Sequence, residues 1–241
     1  MRPLLLLHGF TQTHRAWDGV LAAGAGRGRE VLAPDLPGHG ARSDERPVAF
    51  ADGLAGLVPP PGPPVVLCGY SLGGRLALLL ALGHPGRVGR LVLVGASPGI
   101  ADPVERDARR TADEELAERI ERIGLERFAR EWARGPLFRH QAPEVAEAAH
   151  ADRLRNTAPG LAGALRGLGT GVMEPLWARL EELRMPVVLI VGERDGRYVR
   201  INRRMAELIP RAELLEVPGA GHAVALEAPA VVAAALGPAS R

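Results

Sequence analysis

The stretch Val65-Val66-Leu67-Cys68-Gly69-Tyr70-Ser71-Leu72-Gly73-Gly74-Arg75, continued by the apolar run Leu76 to Leu82, constrains the fold more than any other part of the chain. It reads as a buried strand, a Gly-x-Ser-x-Gly turn and a helix that begins on the serine. Glycines on both sides of Ser71 let strand and helix approach closely, and such a sharp turn holds its serine in a strained backbone with the hydroxyl exposed. Ser71 is therefore a candidate nucleophile or base. The competing reading is a helix N-cap, a common role for serine at such a turn.

On either side of this turn, apolar runs alternate with helical segments. Pro3 to Leu7 reads as a strand feeding His8-Gly9-Phe10-Thr11, followed by an amphipathic segment from Trp17 to Ala23. Glu30 to Ala33 reads as a second strand, ending in Asp35-Leu36-Pro37-Gly38-His39-Gly40, whose proline and glycines stop it. A short helix from about Phe50 to Val58 and the Pro59 to Pro64 cluster precede the serine turn. Val88 to Gly95 supplies a fourth strand. This alternation predicts an α/β fold with a mostly parallel sheet and helices on both faces.

From about Ser97 the strands vanish. Val104, Ala108, Ala112, Leu116, Ile120 and Ile123 recur at helical spacing, with further helices expected at Leu125 to Arg134, Pro143 to Leu154 and Pro175 to Leu183. Residues 97–183 are accordingly expected to form a helical cap inserted after the fourth strand, over the C-terminal edge of the sheet. Residues 1–96 and 184–241 form the core. In the latter, Pro186 to Val191 and Glu213 to Val217 read as strands, Val199 to Leu208 and Leu226 to Leu236 as helices. At 241 residues and 46% hydrophobic content, one substantial core is within reach.

Charge and cysteine usage narrow the function classes. All 30 basic residues are arginine, yet the net charge is only +2, and the arginines are interleaved with acids rather than gathered in a block that binds nucleic acid. The lone Cys68 lies in the strand before Ser71 and reads as an inert core thiol. The four leucines after Pro3 are too few for a signal peptide or a membrane span, so a cytoplasmic protein is expected. No closely spaced His, Cys or carboxylate cluster suggests a metal, and no obligate protein partner is inferred.

Two later loops hold the groups that Ser71 needs. Gly192-Glu193-Arg194-Asp195 follows one strand and Gly219-Ala220-Gly221-His222 follows the next. Active sites of open parallel sheets lie at the C-terminal strand ends, where Ser71, Asp195 and His222 can converge. A serine hydroxyl is a poor nucleophile and a poor base until a histidine takes its proton, and a carboxylate fixes the histidine's tautomer. Glu193 competes with Asp195, as does a plain Asp-Gly turn. Of the other histidines, His8 and His39 lie in strand-end loops as candidate structural hydrogen-bonders, and His14, His84, His140 and His150 fall outside strand ends. The backbone N–H groups of Phe10 and Leu72 are the candidate oxyanion donors.

The order Ser, Asp, His is that of α/β-hydrolases, and the chain as a whole resembles one family among them, the 2-succinyl-6-hydroxy-2,4-cyclohexadiene-1-carboxylate synthases of menaquinone biosynthesis. The His-Gly-Phe loop, the Asp-Leu-Pro-Gly-His-Gly loop and the serine turn also occur in many esterases. More specific are Gly73-Gly74-Arg75, Ser97-Pro98-Gly99-Ile100 leading to Glu105-Arg106-Asp107-Ala108-Arg109, Leu154-Arg155-Asn156, Arg166-Gly167-Leu168-Gly169-Thr170-Gly171 with Pro175-Leu176-Trp177, and Gly192-Glu193-Arg194-Asp195.

The resemblance implies a lyase that eliminates pyruvate from 5-enolpyruvoyl-6-hydroxy-2-succinylcyclohex-3-ene-1-carboxylate without metal or organic cofactor. Ser71, activated by His222 and Asp195, would remove the ring proton next to the leaving enolpyruvyl ether. A polycarboxylate substrate needs cations. Arg75 lies one helical turn after Ser71 near a helix N-terminus, where a cation gains nothing from the helix dipole but is well placed for an anionic ligand. The rival is a structural ion pair. By the family pattern Arg109 and Arg155 are substrate-binding, against a plain reading as solvated arginines; guanidinium forks suit carboxylates. Tyr70 and Trp132 are further pocket candidates by the same pattern, and core packing accounts for Trp132 nearly as well. The alternative is a carboxylesterase, lactonase or carbon–carbon bond hydrolase using the same three groups, since the fold alone does not choose a reaction.

Overall fold

The computed structural model describes residues 1–47, 49–59, 61–138 and 141–237; His140 and part of the 59–64 proline cluster lie outside the described residues. Six strands, β1 (Leu4–Leu7), β2 (Val31–Leu32), β3 (Val65–Tyr70), β4 (Val88–Val94), β5 (Val187–Gly192) and β6 (Ala212–Val217), form one sheet in the order β2-β1-β3-β4-β5-β6. Every pairing is parallel. The chain builds outward from β1 to β2, then crosses back and builds outward from β3 to β6. The order therefore reverses between β1 and β3, the place where open α/β sheets leave a crevice outside their C-terminal strand ends. Phe10 follows β1 and Ser71 follows β3 at that crevice.

Among the described residues, ten α-helices surround or cover the sheet. In the first half they are α1 (Asp18–Ala22), α2 (Phe50–Leu54), α3 (Leu72–Gly83), α4 (Pro103–Ile123) and α5 (Leu125–Ala133). They continue with α6 (Pro143–Arg153), α7 (Ala158–Leu168), α8 (Gly196–Leu208), α9 (Val224–Glu227) and α10 (Pro229–Leu236). Alternate strand residues point to opposite faces. Leu5, Leu7, Leu67, Leu91, Leu93 and Leu189 pack with Leu76 and Leu80 of α3 and Met205 of α8. Leu4, Leu6, Val66, Cys68, Val92 and Ile190 pack with Trp17, Val20, Val224 and Leu236. Because both faces are covered, the strands read as continuous apolar runs rather than alternating ones. Removing one of these fully buried leucines, Leu67→Ala for instance, costs about 2–5 kcal/mol of stability. Burial also pushes the Cys68 thiol up, as expected of an inert core cysteine.

Helices α4 to α7 lie between β4 and β5, and α4, α5 and α7 build a small core of their own from Ala117, Ile120, Phe128, Leu161 and Leu165. Several expectations are corrected here. Val104, Ala108 and Ala112 are exposed, and α4 instead turns Asp113, Ala117 and Ile120 inward, with Arg109 on the same side. Helix α7 was not expected at all, because its three glycines and a proline look like loop. Its usable signals were Thr157, whose side chain accepts the Gly160 N–H as an N-cap, and Pro159 in the first turn. Trp177–Glu182 is a 3-10 helix rather than an α-helix. Helix α8 starts at Gly196, three residues before the expected Val199. The expected closing helix is split into α9 and α10, since Pro229 lacks the N–H that continuation requires. No helix among the described residues is long and apolar enough to cross a membrane.

Candidate active site

Ser71 occupies the junction of β3 and α3 with φ 51° and ψ −106°, outside the ordinary regions for a non-glycine residue. Such a residue stores about 1–3 kcal/mol and persists only where its surroundings over-determine it. Here they do: a Cβ on Gly73 would stand 2.1 Å from the Leu7 carbonyl oxygen, so only glycine lets α3 start this close to β1. The Ser71 side chain makes no capping hydrogen bond. Its hydroxyl lies 3.1 Å from His222 Nε2.

On the other ring edge, His222 Nδ1 is 2.6 Å from Asp195 Oδ2. A carboxylate only accepts, so Nδ1 carries the hydrogen and Nε2 presents a lone pair to the Ser71 O–H. The two loops meet because β5 ends in Gly192, where a Cβ would fall 2.0 Å from the Gly221 carbonyl oxygen. Asp195 is also the N-cap of α8, accepting the Tyr198 N–H at 3.4 Å, so the turn reading and the histidine-partner reading describe the same residue. Glu193 turns away and accepts the Gly219 N–H at 2.9 Å. Sequence reasoning missed Glu227, whose carboxylate accepts the N–H of Gly221 at 2.7 Å and of Ala223 at 3.1 Å, clasping both peptides around His222.

A cavity of about 220 Å³ opens on Ser71 and His222, lined also by Phe10, Leu72, Arg75, Arg109, Trp132, Thr170, Arg197 and Tyr198. The N–H groups of Phe10 and Leu72 have no hydrogen-bond partner among the described residues. Arg75 is buried, with its guanidinium 2.6 Å from Thr170 Oγ1 and over the Phe50 ring at 5.7 Å; no described carboxylate pairs with it. Burial lowers its pKa to about 10, with the neighbouring Arg109 adding to the shift, so it remains charged at neutral pH. Arg109 is half-exposed, with Nε 2.8 Å from Asp113 Oδ1. The Trp132 ring packs edge-on against Phe10 at 5.6 Å, and its buried Nε1–H has no partner among the described residues.

Two expected pocket residues are placed elsewhere. Tyr70 is buried beside His222, rings 5.4 Å apart, and does not line this cavity. Arg155 is exposed and lines a separate cavity of about 390 Å³ with Arg15, Glu144 and Leu226. The reason is helical geometry: α6 ends at Arg153, and the chain beyond it turns outward at Leu154 and Arg155. Arg153, two residues earlier, is the one buried inward, with its guanidinium 5.9 Å from the Phe138 ring, itself 6.4 Å from His222. Among the described residues no group of His, Cys, Asp and Glu is arranged to hold a metal ion.

The remaining strand-end histidines brace the loops. His8 Nδ1 lies 2.9 Å from the Gly9 carbonyl oxygen and its Nε2 accepts the Leu36 N–H. His39 Nδ1 lies 3.1 Å from the Pro37 carbonyl oxygen and its Nε2 accepts the Thr11 N–H. Burial is the main cause that depresses both pKa values, that of His39 to about 3. The unfolded chain therefore takes up these protons first, near pH 6.5, and stability falls as pH drops below that value, towards the folded pKa. Each histidine contributes up to about 1.4 kcal/mol per pH unit in that window. Urea unfolding at about pH 7 and about pH 5.5 should show a loss of about 2 kcal/mol; equal stability at both would show that the fold accommodates the imidazolium ions.

Residues 4–235 match the alpha/beta hydrolase family. A Bacillus subtilis relative, provisionally named a 2-succinyl-6-hydroxy-2,4-cyclohexadiene-1-carboxylate synthase, is 43% identical over 168 residues, 68% of this chain and 61% of its own. The chain thus spans about three fifths of that relative's length. The synthase of the same name from Enterobacter sp. (strain 638) is 33% identical over 243 residues, covering 97% of this chain and 89% of the relative. Among solved structures, MenH from S. aureus superposes with a TM-score of 0.88 at 30% identity, covering 98% of this chain and 91% of that one.

Proposed function

Because the chain belongs to the alpha/beta hydrolase family, and within it to the 2-succinyl-6-hydroxy-2,4-cyclohexadiene-1-carboxylate synthases, we propose that it eliminates pyruvate from 5-enolpyruvoyl-6-hydroxy-2-succinylcyclohex-3-ene-1-carboxylate. The observation that carries this reading is Arg75. A buried guanidinium without a carboxylate is costly, and beside a reactive serine it makes sense when an anionic substrate completes it. Arg109 and Arg197 on the same cavity add charge that a neutral ester does not need.

The positions of the double bonds define the step. The substrate is a 3-ene with its leaving group on carbon 5, and the product is a 2,4-diene. The proton therefore leaves from carbon 2, and not from the carbon next to the ether as the sequence reading had it. Carbon 2 bears the succinyl ketone, so negative charge develops on that carbonyl oxygen. We assign Ser71 as the group that takes the proton, relayed to His222 Nε2 while Asp195 stabilises the imidazolium. The electron pair moves through the ring, carbon 3–carbon 4 becomes single, and the carbon 5–oxygen bond breaks. Enolpyruvate leaves and ketonises to pyruvate. The Phe10 and Leu72 N–H groups are the donors for the dienolate oxygen, and residues 97–183 are the cap over it.

The test couples pyruvate release to NADH oxidation by lactate dehydrogenase and runs a simple aryl ester beside it. Rapid pyruvate release with slow ester turnover is expected. Fast ester cleavage without pyruvate would make the protein a hydrolase.

A further inference from the structure

The loop that carries Phe10 is tied to the inserted helices as well as to the loops and helix of the sheet-bearing core. Thr11 stands at φ 70°, a left-handed conformation that a β-branched residue adopts only under constraint. The constraints come largely from one short stretch at the end of α6. Asn156 Nδ2 donates to the Thr11 carbonyl oxygen at 2.9 Å and Arg153 Nε donates to Thr11 Oγ1 at 3.3 Å. Asp152 accepts the Thr13 N–H at 3.0 Å through Oδ2 and the Thr13 hydroxyl through Oδ1. From the other direction, His39 Nε2 accepts the Thr11 N–H at 3.3 Å, while Asn156 Oδ1 accepts the Gly40 N–H at 3.0 Å. One buried amide thus bridges the loop after β1 to the loop after β2, across 145 residues of sequence from Thr11.

We infer that Asn156 is a positioning residue that, through Thr11, tunes the placement of the Phe10 N–H for catalysis, so that docking of the inserted helices completes the oxyanion site. The inference rests on the assignment of Phe10 as an oxyanion donor. The chemistry selects asparagine: the site asks for donors towards Thr11 and Arg153 carbonyls and an acceptor for Gly40 N–H, and a primary amide is the short side chain that supplies both. An aspartate lacks the donors and opposes two carbonyl oxygens with a carboxylate; leucine supplies neither. Releasing the Thr11 carbonyl lets φ relax out of the left-handed region; the Phe10–Thr11 peptide rotates with it, and the Phe10 dihedrals pass that rotation to the Gly9–Phe10 peptide, which carries the donor N–H and is otherwise held at its Gly9 carbonyl oxygen by His8 Nδ1 and the Gln12 N–H. Asn156 also stands between α6 and the Thr157 cap of α7, so any movement of the insert at this joint is transmitted to Thr11.

The test uses the full chain with Asn156→Ala and Thr13→Val, checked for folding by thermal melts. Each is read in two ways: kcat and KM for pyruvate release, and the second-order rate at which a small neutral fluorophosphonate labels Ser71. Asn156→Ala should lower both kcat and the labelling rate by about 5- to 30-fold, a fraction of what deleting an oxyanion donor costs, with KM changed less than about two-fold because Arg75 and Arg109 are untouched. Thr13→Val, which removes the hydroxyl bond to Asp152 together with the cap on the Arg15 N–H, should show a smaller loss in the same two readouts. Folded Asn156→Ala with unchanged kcat and labelling overturns the inference, as does a loss confined to KM. If Asn156→Ala fails to fold, Thr13→Val decides, and unchanged kcat and labelling there overturns it. Slowed labelling in a wild-type background that releases no pyruvate upholds the positioning role and removes the lyase reading instead. A wild-type Ser71 that resists the fluorophosphonate removes the positioning role.

Discussion

Ser71→Ala and His222→Ala are each expected to reduce kcat/KM for pyruvate release by about 10³- to 10⁴-fold, and the double variant is expected to lose no more than the worse single one. The magnitude follows from general base catalysis at a carbon acid. The hydroxyl 3.1 Å from Nε2 and the carboxylate 2.6 Å from Nδ1 form one proton path, so breaking either end disables the whole. Asp195→Asn should keep the wild-type fold yet lose rate on the scale of the alanine variants, because an amide at this position also accommodates the tautomer that carries its hydrogen on Nε2. Additive losses in the double variant would mean that His222 reaches carbon 2 itself and that Ser71 has a separate task. A Ser71→Ala variant within ten-fold of wild type would carry the same message.

These groups were legible in the sequence because each sits in a glycine-rich turn directly after an apolar run. Gly73 and Gly192 are where main chains touch, and that need leaves a written mark. Parallel topology was legible for a similar reason, through strands buried on both faces. Side-chain direction at helix ends was not. Arg153 and Arg155 differ by two residues, and which of them turns inward depends on the exact residue where α6 stops, a boundary that periodicity does not resolve. Nor does periodicity reveal α7, where Gly160, Gly163 and Gly167 suit tight packing but read as loop. Glu227 and Asn156 bond backbone N–H and C=O groups, and a main-chain partner contributes nothing to a sequence pattern; Asn156 stands in the Leu154-Arg155-Asn156 likeness, but without a role.

Arg75→Ala should lower kcat/KM for the polycarboxylate substrate by roughly 10- to 150-fold, the range set by about 1.5–3 kcal/mol for a hydrogen bond to a charged group. The direction of its effect on stability separates the two explanations of this residue. A guanidinium held by a structural ion pair would leave its partner unpaired on removal and destabilise the fold by several kcal/mol, about 3–5 in buried cases. Arg75 has Thr170 Oγ1 and the Phe50 ring for company and pays desolvation without a carboxylate in return. Its loss therefore relieves a cost in the free protein while withdrawing a partner from the bound substrate. Arg75→Met, which keeps the stem that packs beside Phe50, should accordingly melt at the wild-type temperature or above it. Fluorophosphonate labelling of Ser71 should be unchanged in both variants, since a neutral reagent makes no use of the cation. Arg75→Lys should recover charge but not the planar fork and fall between Ala and wild type in kcat/KM. Unchanged kinetics with a lower melting temperature would reverse the assignment and make Arg75 structural. The buried, unpaired state of this arginine thus links stability to specificity at a single position: the fold tolerates the charge, and the substrate's carboxylate completes it.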